Sequence, residues 1–146
     1  IGQVRAELEG LGAALACDRI DDDQTRRMTE SWDAFRRSLD QPVEVQAERW
    51  MRSNDEFHSV ILEAAGNHHL VLTIGELRRR LPHNISFATY AGNSRLISKN
   101  LAEHEAIAEA ILKQDHDLAR RLMTEHIRAS NEAIAFWVDK NLGGGS

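Results

Sequence analysis

Three histidines, His58, His104 and His126, sit where apolar residues are expected on three separate amphipathic segments. Phe57, Ile61 and Leu62 surround the first, Leu101, Ile107 and Ile111 the second, and Leu122, Met123 and Ala129 the third. A single histidine on such a stripe ordinarily reads as a hydrogen-bonded core residue. Three in one small core read differently, because each neutral imidazole left without a partner costs ~1–3 kcal/mol. One divalent ion satisfies a nitrogen from each ring and leaves the other nitrogen for supporting partners. The stripes show no cluster of acids expected to be buried beside the histidines. The other four, His68, His69, His83 and His116, fall at helix ends or loops, where exposure is the default.

A fourth ligand should come from the segment of His58. Asn54, four residues earlier, shares its helical face, whereas Asp55 is the better ligand chemically but lies on the flank. Three imidazoles with one weak oxygen ligand leave positions open for water or an exogenous molecule. Such a site suits a divalent transition metal, with zinc or nickel the leading candidates and iron or copper also compatible.

The elements that must position these residues are helices. Ala and Leu are abundant, aromatics make up 5%, and there are two prolines. Apolar spacing predicts six helices. The first runs from Gly2 to Asp18 with Val4, Leu8, Leu11 and Leu15 as its stripe. The second follows the Asp21-Asp22-Asp23 cap and carries Met28, Trp32, Phe35 and Leu39. The third starts at Pro42 and reaches Ala65, stopped by Gly66-Asn67. The fourth carries Leu70, Ile74, Leu77 and Leu81. Pro82 should end or kink it, and a resumption through Ile85 and Phe87 would make a seventh helix. The fifth carries Ile97, Leu101, His104, Ile107 and Ile111. The sixth, capped by Asp115, carries Leu118 to Phe136 and includes His126. The expected fold class is all-α, an antiparallel bundle of six or seven helices spanning residues 1–142, with a flexible Gly/Ser tail over 143–146.

Composition narrows the function. The chain of 146 residues fits one domain, and its net charge of −5 with short, acid-flanked basic runs argues against direct nucleic-acid binding. The lone Cys17 excludes an internal disulfide and suits a reducing cytoplasm, and no apolar run has the length of a membrane span. Glu-x-x-His pairs of di-iron bundles are absent: the residues three before the histidines are Asp55, Leu101 and Met123.

Several segments together resemble a known family. The stretch Asn54-Asp55-Glu56-Phe57-His58 leading to Gly66-Asn67 is similar to a signature of the FadR C-terminal (FCD) domain. That domain is the effector-sensing half of many GntR-superfamily bacterial transcription regulators. Val4-Arg5-Ala6-Glu7-Leu8-Glu9 with Ala13-Ala14-Leu15-Ala16 resembles its opening. His104-Glu105-Ala106-Ile107, Ala110, Asp115 and Met123 with His126 resemble its later part. The resemblance covers Val4 to Ala133. It implies a metal set of Asn54, His58, His104 and His126, with Asn54 in place of the more usual aspartate, and an effector that is a small carboxylate or sugar acid bound at the metal. It further implies Arg5, and more weakly Arg78, as partners for the effector carboxylate, a homodimer, and a winged-helix DNA-binding domain preceding Ile1 and absent from this chain. A ligand-sensing regulatory domain rather than an enzyme is therefore expected. The alternative is a metalloenzyme acting on a small organic acid through metal-activated water.

Overall fold

The computed structural model describes residues 1–81 and 86–143. The expectations for Pro82, His83, Ile85 and the tail residues 144–146 lie outside the described residues. Along the chain run α1 (Gly2–Ala16), α2 (Asp22–Glu30), α3 (Asp33–Arg36), α4 (Val43–Ala65), α5 (His68–Arg79), α6 (Ser86–Tyr90), α7 (Ser94–Leu112) and α8 (His116–Leu142). Among the described residues there is no strand, and no helix is long and apolar enough to cross a membrane.

Each predicted helix is present, and local chemistry explains its ends. Asp21 forms a reciprocal capping box with Gln24, while Asn67, Asn93 and Asp115 each accept a backbone N–H of the first turn that follows. Gly66 closes α4 in the left-handed region, at φ 67°. The second predicted helix is interrupted at Ser31-Trp32 and continues as the short α3. Met28, Trp32 and Phe35 keep their place in the core across that break, whereas Leu39 lies beyond it and is exposed.

Helix α1 departs most from its expected face. The leucine stripe is not its innermost side: Val4 is exposed, and Leu8, Leu11 and Leu15 pack half-buried against a small cluster of Leu62, Ala65, Leu70 and Ile74. The deepest face consists of Ala6, Glu9, Gly10, Ala13 and Ala16. Small residues there let α1 lie close to α8. A Cβ on Gly10 would collide with Thr124 Oγ1 and stand 3.0 Å from the Arg120 carbonyl oxygen. On α8 the stripe ends early, and Phe136 is exposed.

The main core is aromatic on one side. Trp32, Phe35, Trp50, Phe87 and Tyr90 form a chain of ring contacts, with centroids 4.9–6.0 Å apart. Burial of each such ring contributes ~1.5–3 kcal/mol. This cluster backs directly onto the histidines, since Trp32 and Phe57 lie 4.5 and 4.7 Å from the His104 ring.

Candidate metal centre

Helices α4, α7 and α8 deliver His58, His104 and His126 to one point. All three side chains are buried, and one nitrogen from each lies within 4.8 Å of the others. Ring centroids are 5.5 Å apart for His58–His104, 5.5 Å for His58–His126 and 4.3 Å for His104–His126.

The opposite nitrogens define the tautomers. His104 Nδ1 donates to the Asn100 carbonyl at 2.8 Å. A carbonyl can only accept, so Nδ1 carries the hydrogen and Nε2 presents a lone pair. His58 Nδ1 faces Glu9 Oε2 at 3.1 Å, and His126 Nδ1 faces Glu103 Oε2 at 3.4 Å. With every Nδ1 engaged, the three Nε2 atoms are the ones left for an ion. His104 Nε2 is buried with no hydrogen-bond partner among the described residues. A buried lone pair facing two further imidazoles is what a cation satisfies, so the residues present fit a divalent metal.

Electrostatics point the same way. Burial, opposed by Glu9, pulls the His58 pKa down to about 4. Burial also lowers His104 well below its ordinary value, helped by His126 and His58. Both rings are therefore neutral at pH 7, the form that ligates.

Beside the cluster lies a cavity of roughly 420 Å³. His58 and His126 line it together with Asn54, Asp55, Arg5 and Arg78, and Ser86, Tyr90, Asn100 and Ser130 add polar atoms. The structure thus brings every sequence-predicted site residue except His104 to one cavity wall, with His104 directly behind His58 and His126. Asn54 is half-buried on the histidine side of α4, whereas Asp55 is exposed at the rim.

The histidine stripes show no cluster of acids, but one buried acid reaches the histidines from α1. Glu9 is 1% exposed and bonds His58, Arg5 and Arg78 at once. Burial would raise its pKa, but His58, Arg78 and Arg5 outweigh this and hold it well below the usual carboxylate range. It escaped the sequence reading because Arg5 and Glu9, four residues apart, look like an exposed helix pair, and because the leucines drew attention to another face of α1. Asn100 was also missed, although it stands four residues before His104, as Asn54 does before His58. Its Oδ1 is buried without a partner among the described residues, and so is Arg78 Nε.

The sequence pattern of the FCD domain family matches residues 1–129. This chain belongs to the FCD domain family. The FCD domain is also 30% identical over 138 residues to the HTH-type transcriptional repressor NanR of Cronobacter sakazakii (strain ATCC BAA-894), across 92% of this chain and 49% of that protein. It therefore spans about half the length of the curated relative it matches.

Proposed function

We propose that this FCD domain senses a small carboxylate or sugar acid through a bound divalent metal, zinc or nickel, and forms part of a transcription regulator. The observation that carries the reading is the convergence of one nitrogen from each of three buried imidazoles beside a cavity that also holds two arginines. Asn54, His58, His104 and His126 would hold the ion, which supplies a Lewis-acid position for an anionic ligand. Arg78 and Asn100 both line this cavity, and each keeps one buried polar atom without a partner among the described residues, Arg78 Nε and Asn100 Oδ1, so polar groups of a ligand carrying a carboxylate and a hydroxyl would suit this wall. The ligand class is consistent with the polar walls contributed by Ser86, Tyr90 and Ser130.

In this reading the domain acts within a homodimer and controls DNA binding by a winged-helix domain N-terminal to it. Ligand shifts the balance between two arrangements only to the extent that it binds one better. Binding is favoured over catalysis because the buried carboxylate nearest the histidines, Glu9, is already engaged by two guanidinium groups and an imidazole. It is thus not available as a general base for metal-activated water.

Metal analysis followed by thermal melts with a panel of hydroxy acids and sugar acids, with and without chelator, tests this. A saturable rise in Tm with particular acids, lost on chelation, is expected. His58→Ala, His104→Ala and His126→Ala should each release the metal, and undiminished metal content in those variants would sink the shared site.

A further inference from the structure

Glu9 hydrogen-bonds both arginines of the cavity and one of its histidines. Its Oε1 accepts from Arg5 Nε at 3.2 Å and from Arg78 at 3.1 Å, while its Oε2 faces His58 Nδ1 at 3.1 Å. No hydrogen bond joins either arginine to a histidine among the described residues. The carboxylate is 1% exposed, so water does not dilute these contacts. Two guanidinium groups share the one buried carboxylate, and Asp55 at the cavity rim adds a second negative charge that acts on Arg5.

We propose that Glu9 is a positioning residue that couples the arginine pair to the histidine cluster, so that occupancy of one raises affinity at the other. The proposal rests on the reading of the cavity as a metal-dependent carboxylate sensor. A ligand carboxylate that takes hydrogen bonds from Arg78 competes with Glu9 Oε1 for them. Glu9 then leans more fully on His58 Nδ1–H, and the His58 ring becomes a stronger electron-pair donor at Nε2. In reverse, an ion on Nε2 makes Nδ1–H more acidic, draws Glu9 toward His58 and frees the arginines. Linkage requires the two effects to be equal. The link needs no bond between ligand and metal, so it adds to any direct ligation.

Metal titration of four proteins tests the proposal without any organic ligand. Apparent Ni²⁺ affinity is measured by competition with a chromophoric chelator for wild type, Glu9→Gln, Arg78→Gln and the double variant. Glu9→Gln should weaken binding by roughly 10–100-fold, as loss of a partner of a ligating histidine does. The direct repulsion between Arg78 and the ion is present in both backgrounds and cancels in the cycle. The remaining effect of Arg78→Gln should be at least about fivefold smaller, or reversed, once Glu9 is Gln. Additive changes would overturn the coupling while leaving the sensor reading intact; a wild-type protein that binds neither Ni²⁺ nor Zn²⁺ would overturn both. A second measurement does not depend on Glu9→Gln folding. In metal-free Arg78→Gln the His58 Nδ1–H proton resonance, assigned by its loss in His58→Gln, should move to lower field. An unmoved resonance refutes the link.

Discussion

Asn54 stands one helical turn before His58 and contributes an amide where a carboxylate would neutralise half of a divalent charge. If it is a ligand, Asn54→Asp should tighten metal binding by roughly tenfold or more, since a charge added at contact distance outweighs its partial screening. The same change should weaken binding of a carboxylate probe such as citrate to the metal-loaded protein. Calorimetry on both ligands checks the pair of effects, and parallel rather than opposite shifts would remove Asn54 from the site. The histidines were legible because a titratable ring on an apolar stripe violates the pattern around it. Arg78 was harder to read, since it heads a run of three arginines that looks like one solvated face. The structure divides the run: Arg79 and Arg80 pair with Glu76 outside, whereas Arg78 turns inward to Glu9. No spacing rule separates them, because the decisive partner lies on another helix.

At the level of elements, the packing of α1 against both α4 and α8 fixes where Glu9 sits relative to His58. Gly10, the next residue, leaves no room for a Cβ against α8. Gly10→Ala gains helix propensity of ~1 kcal/mol but drives a methyl group into Thr124 and the Arg120 carbonyl. Overpacking of this kind costs ~1–3 kcal/mol, so a net loss of stability is expected in urea melts. Thr124→Ala in the same background should restore part of it, because the colliding hydroxyl is gone. The sequence disclosed all six long helical stretches through caps and periodicity. It concealed which face of α1 was deepest, because large leucines dominate a hydrophobicity pattern, whereas close helix approach selects small residues. The break between α2 and α3 was hidden for a similar reason: Met28, Trp32 and Phe35 continue the apolar spacing through it.

For the whole molecule, metal binding at the proposed site would be linked to folding, because an ion held only by the folded state draws the equilibrium toward it. Metal at a hundredfold excess over its Kd stabilises the folded state by ~2.7 kcal/mol. In a domain of this size that raises Tm by roughly 5–10 °C, and chelation should reverse it. Acid acts through the same groups in the metal-free protein. His58 titrates near 6.5 when unfolded and at about 4 when folded, and His104 is lowered as well. Between those values the unfolded chain binds more protons, so stability is fully present above pH 6.5 and falls as pH drops toward 4. Glu9, whose folded pKa lies below its unfolded value, adds a further loss below about pH 4.5. No part of this range sets the two trends against each other. His58 alone accounts for a loss on the order of 3 kcal/mol, and a series of thermal melts at successive pH values would show it. A flat Tm from pH 7 to 4.5 would contradict the buried, neutral histidines.

The ring of Trp32 lies 4.5 Å from that of His104, inside the aromatic wall behind the histidines. An indole at that range lies within reach of quenching by a paramagnetic ion held on the imidazoles, so the molecule carries its own optical gauge. Nickel or copper arriving at the site should dim tryptophan emission in proportion to occupancy, zinc should leave it bright, and Trp32→Phe should reduce the contrast, leaving the share carried by Trp50, 5.0 Å from Trp32.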